Sequence, residues 1–162
     1  MLAILAFASL AASPAHAAGC LTADEAAAER VRRLQTTLMI GALQCRREAA
    51  LRMADIYNQV VRRYGAVISA HNKILTRYFQ RTHGAGYQAA MDSHVTSMAN
   101  IIARSAQRDP GFCGAAAQIG QQMLKPDAAD IVDQANWAKL VDIGGPPACQ
   151  PARTLRAESA AQ

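Results

Sequence analysis

The sequence from Thr22 to Thr82 reads TADEAAAERVRRLQTTLMIGALQCRREAALRMADIYNQVVRRYGAVISAHNKILTRYFQRT, and its apolar residues follow one helical pattern. Apolar or small residues recur at steps of three or four, which places them on one side of an α-helix, whereas a strand would need alternation. The members of this stripe are Leu34, Leu38, Ala42, Cys45, Ala49, Met53, Ile56, Val60, Tyr64, Val67, His71, Ile74 and Tyr78. The stretch therefore predicts one long helical segment at the N-terminal side of the domain.

The beginning of this helix carries the clearest local signal. Thr22 and Glu25 form a capping-box pattern, in which each side chain can bind the backbone N–H of the other residue. Gly41 and Gly65 lie inside the helical pattern, and each weakens a helix by up to about 1 kcal/mol relative to alanine. Because the stripe continues past Gly65, we expect a bend near Gly65 and not a loop.

Shorter helical patterns follow the long one. The glycines at Thr82–Gly86 predict a tight reversal, so that a helix over Tyr87–Arg108 would run antiparallel to the long helix. Two more helices are predicted over Phe112–Leu124 and Ala128–Val141, the last capped by Asp127. With 162 residues and 5% aromatic residues, the chain predicts one all-α domain, an elongated helical hairpin or bundle built on the long N-terminal helix, either straight or bent.

The N-terminal residues 1–18 have the pattern of a secretory signal peptide. An apolar run over Leu2–Leu10 is followed by small residues up to Ala17, so we expect a mature chain beginning near Ala18. The run is too short to span a bilayer. This predicts a periplasmic or secreted protein, and the alternative is a lipoprotein anchored to the outer membrane through a lipidated Cys20.

Four cysteines support export, because disulfides form in oxidising compartments. A helix between Cys20 and Cys45 would separate them by over about 30 Å, too far for a disulfide. Two pairings remain, of which we favour Cys45 with Cys113 and Cys20 with Cys149. The predicted organisation is a signal peptide at 1–18, a single helical domain at 19–143 and a tail rich in Pro, Gly and Ala at 144–162 that Cys149 ties to the domain.

Positive charge is concentrated in the long helical stretch. Residues 22–83 contain eleven Lys or Arg against five Asp or Glu, whereas the whole chain has a net charge of +5. Three arginine pairs recur along it and are our candidate binding residues: Arg32, Arg33, Arg46, Arg47, Arg62 and Arg63. Guanidinium groups bind phosphate and carboxylate by paired hydrogen bonds, which indicates an envelope protein or an anionic envelope surface as the partner. The competing interpretation is a solvated face that keeps an alanine-rich protein soluble.

A nucleic acid partner is not expected, because the protein is predicted to be exported and no aromatic residues alternate with the arginines to stack on bases. An uncovered part of the apolar stripe would form an interface, which suggests a homodimer.

Two further patterns could support other functions. Met91, His94 and Met98 lie along one edge of the Tyr87–Arg108 helix, and thioether and imidazole groups suit copper(I) or haem iron. The competing interpretation is that the methionines fill the core, so no cofactor is predicted. Glu48 and Asp55 are a carboxylate pair seven residues apart, the basis for a small cell-wall hydrolase as a third hypothesis.

In length, predicted hairpin and export signal, the chain resembles periplasmic stress chaperones and metal-resistance sensors of the helical-hairpin type, although the LTxxQ signature of those chaperones is absent. We therefore expect an exported, non-catalytic protein of the bacterial cell envelope. The leading hypothesis is an adaptor or holdase that binds through its arginine-bearing helix face.

Overall fold

A computed structural model describes residues 19–138 and 141–149, and this part of the chain is helical with no strands. The helices are α1 (Ala23–Gln44), α2 (Met53–His83), α3 (Tyr87–Arg108), α4 (Phe112–Met123) and α5 (Ile131–Trp137). The predicted all-α hairpin or bundle with two disulfides is confirmed. The predicted signal peptide at 1–18 and tail residues 150–162 lie outside the described residues.

The predicted capping box is present at the start of α1. The Thr22 backbone N–H donates to Glu25 Oε2 at 2.8 Å, and the Glu25 backbone N–H donates to Thr22 Oγ1 at 3.3 Å. These bonds satisfy two of the backbone donors that a helix start leaves without partners. The helix therefore begins at the position that the sequence pattern indicates.

The long helical stretch reverses its direction between α1 and α2. Two 3₁₀ turns, Cys45–Arg47 and Ala49–Leu51, join the two helices, and Arg52 before α2 has a φ of 50°. No loop interrupts α2 at Gly65, as the continuing stripe predicted, and the break in the long helical stretch lies instead between Gln44 and Met53. The break arises from tertiary packing: α2 folds back on α1, so that the two halves of the apolar stripe bury each other.

Close contact at the reversal depends on Gly41. A Cβ atom built on Gly41 would lie 2.8 Å from Met53 Cε and 3.3 Å from Ala116 Cβ. Gly65, by contrast, has open space on its Cβ side. Gly41 thus lies where α2 and α4 approach α1, whereas Gly65 does not lie at a close contact.

Helix α1 is the centre of the bundle and contacts α2, α3, α4 and α5. A 3₁₀ turn at Gly84–Gly86 joins α2 to α3, as the glycines predicted, and α3 returns antiparallel along α2. Helix α4 also agrees closely with its predicted range. Helix α5 is shorter than predicted, because Asp130 and not Asp127 caps it, accepting the Val132 N–H at 2.6 Å.

Both disulfides pair the cysteines that the sequence spacing favoured. Cys45–Cys113 ties the reversal after α1 to the start of α4, and Cys20–Cys149 ties the two ends of the described domain together. Next to the second disulfide, the Leu21 N–H donates to the Pro147 carbonyl at 2.9 Å. The sulfur of Cys20 is thus occupied, which favours the disulfide over a lipidated Cys20.

Candidate functional site

The solvent-facing side of α2 is a basic surface. Arg62, Lys73 and Arg77 are exposed and lie at spacings of eleven and four residues, close to whole turns of the helix. We call these three residues the α2 basic face. They span about 22 Å along the helix axis. From Ile56 to the end of α2 there is no Asp or Glu, so the helix itself supplies no counter-charge to this face.

The residues between these cations are small. Ala66, Ser69 and Ala70 are exposed on the same helix, and Val67 is 39% exposed. Small side chains leave the longer basic side chains as the most projecting groups on this surface. A flat or extended anionic partner could therefore approach all three cations at once.

The structure does not collect the six predicted arginines on one surface. Arg32 and Arg33 lie half-buried on the central helix α1, and Arg32 donates to the Asn72 side-chain oxygen at 3.3 Å. Arg46 and Arg47 are exposed in the first 3₁₀ turn. The expected continuous arginine face is broken because the chain reverses after Cys45.

The last predicted pair divides between two roles. Arg62 belongs to the α2 basic face, whereas Arg63 donates to the Leu124 and Lys125 carbonyls at 3.1 and 2.9 Å. These carbonyls lie at the C-terminal end of α4. Cations are favoured there because the last carbonyl groups of a helix have no partner within the helix. Arg63 thus joins α2 to α4, while Arg62 stays available for a partner.

Sequence reasoning missed Lys73 and Arg77 as binding residues. The predicted binding residues were the arginine pairs, whereas the clearer sign of a basic surface is the absence of any Asp or Glu from Ile56 to His83. The burial of Tyr64, Ile68 and Leu75 fixes the opposite side of α2 against the core, and the cations face outwards as a result.

Two buried carboxylates, Glu25 and Glu29, join α1 to the other helices, a role that the sequence did not indicate. Glu25 is 8% exposed and accepts from Arg81 Nη2 at 2.7 and 3.0 Å. Burial alone would raise the pKa of the Glu25 carboxyl, but the Thr22 backbone N–H and the Arg81 guanidinium outweigh it, and the pKa lies below its ordinary value of 4.5. This carboxylate therefore favours the folded state when it is ionised.

A tyrosine lies against the same ion pair. Burial raises the pKa of the Tyr78 hydroxyl, and although the Arg81 charge opposes the rise, the Glu25 and Glu29 carboxylates add to it. The neutral hydroxyl donates to the Gly19 carbonyl at 3.1 Å and so holds the backbone that precedes α1 against α2.

The second buried carboxylate, Glu29, contacts His94 of α3. Both carboxylate oxygens lie 3.0 to 3.1 Å from His94 Nε2. Next to His94 is a cavity of about 140 Å³ that Met91 also lines, together with Thr76 and Asn72. Of the three predicted metal ligands, Met91 and His94 thus share one cavity.

Met98, the third of these predicted ligands, lies elsewhere. It is 1% exposed within the main core cluster, where it packs with residues of α1 and α2. The Met91 sulfur, for its part, receives a weak hydrogen bond from Thr76 Oγ1 at 3.7 Å. Of the three candidate ligands, only Met91 and His94 therefore lie together.

The described residues contain no group of three or more His, Cys, Asp or Glu that could hold a metal ion. Within the same part of the chain, none of the helices has the length and apolar character needed to cross a membrane. Glu48 and Asp55, the predicted carboxylate pair, line a pocket of about 250 Å³ beside the reversal, and Asp55 is paired with Arg52 at 2.8 Å.

The function of this chain is inferred from these surfaces and not from similarity to known proteins. A scan against protein-family models, a search of the curated proteins and a search of the solved structures gave no match for this chain.

Proposed function

We propose that this protein is an exported, non-catalytic binding module of the bacterial cell envelope and that it attaches to an anionic envelope surface through the α2 basic face. The observation that carries the proposal is the exposure of Arg62, Lys73 and Arg77 on a helix with no acid between Ile56 and His83. Such a surface attracts phosphate head groups electrostatically.

The expected strength follows from the number of charges. A Lys or Arg near an anionic membrane surface contributes about 1 kcal/mol, so three together correspond to about a hundredfold in affinity. The α2 face has no aromatic side chain among its exposed residues that would insert into the bilayer. Attachment is therefore peripheral and weakens as salt concentration rises.

Two disulfides support the envelope as the compartment. Such bonds persist in oxidising spaces and are rare in the cytosol, so they are compatible with a periplasmic or extracellular protein. The signal-peptide pattern over residues 1–18 points the same way. A charged surface is also favoured over an apolar holdase surface, because Leu43 and Val67 are the only large apolar residues exposed in the described part of the chain.

A binding role is favoured over hydrolysis by the placement of the candidate acids. Asp55 pairs with Arg52, and both side chains are more than half exposed to water. General acid–base catalysis needs a side chain that is held in place next to the reacting group. Packing does not hold Asp55 in this way, because its side chain is more than half exposed.

The test is co-sedimentation of the mature protein with vesicles of phosphatidylglycerol and phosphatidylcholine at several salt concentrations. Replacing Arg62, Lys73 and Arg77 by glutamine should reduce the partition coefficient about a hundredfold. The matched control replaces Arg104, Arg108 and Lys125, which are exposed on other elements and carry the same total charge. Equal losses in the two variants would mean that net charge alone drives binding, and unchanged binding in the first would remove the α2 basic face from consideration.

A second candidate function is copper(I) binding in the cavity beside His94. The observation that favours it is the Glu29 carboxylate on His94 Nε2, since metal-ligating histidines commonly bond a carboxylate through their other nitrogen. Met91 would supply the soft sulfur ligand. The cavity volume of about 140 Å³ is below the 300 to 1,000 Å³ of ordinary cofactor pockets, which disfavours haem.

Competition with a copper(I) chelator tests this candidate. Replacing both Met91 by leucine and His94 by asparagine should abolish copper retention, whereas Met98→Leu, in the core, should leave it unchanged. Equal retention by all three proteins would exclude the site.

A further inference from the structure

A cleft of about 320 Å³ separates α1 from the segment between Asp142 and Ala148. We call it the terminal cleft. The segment is held beside α1 by the Cys20–Cys149 disulfide and by the hydrogen bond from the Cys149 N–H to the Leu21 carbonyl at 2.7 Å. Its two glycines, Gly144 and Gly145, have positive φ angles, which other residues rarely adopt. The backbone conformation on this side of the cleft therefore depends on glycine.

Two arginines from one face of α1 line this cleft. Arg30 and Arg33 are three residues apart, which puts neighbouring side chains on the same side of the helix. Each has a buried Nε atom without a hydrogen-bond partner, and these are two of only four such side-chain atoms in the described residues. Within that same part of the chain, neither guanidinium forms an ion pair.

This arrangement is unfavourable in the absence of an anion. Buried donors without acceptors destabilise the folded state, and more so when the group is charged. Like charges one turn apart on a helix also repel each other. A single oxyanion would offset both costs, because the Nε–H and one terminal N–H of a guanidinium together match two oxygens of a carboxylate or phosphate.

The acids that line the cleft are engaged with other groups. Both oxygens of the Glu29 carboxylate contact His94, on the side towards α3. Asp142 Oδ1 accepts the Gly144 N–H at 3.0 Å and so shapes the loop. Neither carboxylate bonds to Arg30 or Arg33, and Asp142 contributes a negative charge that opposes an incoming anion.

We propose that the terminal cleft is a binding site for a small oxyanion, either a carboxylate or a phosphate group, held by Arg30 and Arg33. The cleft is at the small end of ligand-pocket volumes, which fits a compact ligand and excludes a polymer. The site lies on α1 and is separate from the α2 basic face, so it does not depend on the proposed membrane attachment.

Isothermal titration of the mature, oxidised protein tests the proposal, with inorganic phosphate and succinate as probes at constant ionic strength. Saturable one-to-one binding is expected for at least one probe, and the stronger probe distinguishes a phosphate site from a carboxylate site. Arg30→Gln or Arg33→Gln should weaken binding about tenfold or more, since a hydrogen bond to a charged group contributes about 1.5–3 kcal/mol. Arg104→Gln with Arg108→Gln, on the exposed end of α3, is the control and should leave binding unchanged.

A gain of affinity provides a test that does not depend on the arginine variants folding. Asp142→Asn keeps an oxygen that can accept the Gly144 N–H and removes the opposing charge, so it should tighten binding several-fold. Absence of saturable binding in the wild-type protein, or equal affinity in wild type, both arginine variants and Asp142→Asn, would overturn the proposal. Loss of vesicle binding in the α2 variant with intact phosphate or succinate binding would separate the two sites.

Discussion

At the end of α1 near Cys45 the chain packs through apolar side chains and glycines, whereas at the end near Cys20 it packs through buried carboxylates. The first region, the hairpin end, brings Gly41 against Met53 and Ala116, and Gly120 of α4 against Ile56. The second region, the terminal end, is defined by two contacts between charged or polar groups: Glu25–Arg81 and Glu29–His94. Each end has one disulfide.

The difference shows two ways of fixing the same helix. Apolar contacts at the hairpin end depend on shape, because adding or removing a methyl group in a close-packed interior lowers the free energy of unfolding. In the Glu25–Arg81 pair at the terminal end, the cost of desolvating the charges offsets much of their attraction, so the pair contributes more to the register between helices than to stability. Volume changes should therefore affect the hairpin end, and pH should affect the terminal end.

The largest expected effect is the loss of the hairpin-end disulfide. Cys45→Ser with Cys113→Ser opens a loop with a sequence separation of 68, for which the loop-entropy model gives about 4 kcal/mol. The measurement is urea unfolding followed by helical circular dichroism. The matched variant, Cys20→Ser with Cys149→Ser, opens a separation of 129, and the cost should be similar because it grows only with the logarithm of length. A loss under about 1 kcal/mol at the hairpin end would mean that the apolar contacts hold α4 without the bond.

Much of this fold was predictable because its signals are local. The capping box, the apolar stripe and the glycines at Gly84–Gly86 each specify a helix or a turn within a few residues. The length of a helix between Cys20 and Cys45 excluded one of the three disulfide pairings, and of the two that remained the favoured one is present. The reversal at Cys45–Arg52 was not predictable, because that segment contains no Gly or Pro and Arg52 adopts a positive φ only in the folded molecule.

The candidate sites were harder to predict than the fold. Arg62 was visible in the sequence, but which cations face outwards depends on the side of α2 that the core buries. Arg30 and Arg33 form a cleft only because the Cys149 segment folds back onto α1. Both facts depend on contacts between residues distant in sequence, which periodicity does not report.

The next effect contrasts two helical glycines. Gly120→Ala would place a methyl group against Ile56 and Leu38, and overpacking of this kind should lower the free energy of unfolding by about 2 kcal/mol. Gly65→Ala, in open space within α2, should instead raise it by up to about 1 kcal/mol, because alanine favours helix. Urea midpoints of the two variants check the signs, and a stable Gly120→Ala would contradict the tight packing of α4 on α2.

The smallest effect is expected at the terminal end and depends on pH. The pKa of Glu25 is lowered in the folded protein, so its stabilisation is complete above its ordinary value of 4.5 and is lost as the pH falls through the lower folded value. At pH 7, Glu25→Gln should cost about 1 kcal/mol, because Arg81 remains partly exposed and solvent screens the pair.

This difference between wild type and Glu25→Gln should shrink as the pH is lowered below 4.5, because the wild-type carboxyl then becomes neutral as well. Urea unfolding at intervals from pH 7 to pH 3 measures the trend. Asp55→Asn is the control, since the Arg52–Asp55 pair at the hairpin end is exposed and should contribute under about 0.5 kcal/mol at any pH. A pH-independent cost for Glu25→Gln would show that Glu25 acts through its shape and hydrogen bonds alone. The stability of the terminal end would then be no more sensitive to charge than that of the hairpin end.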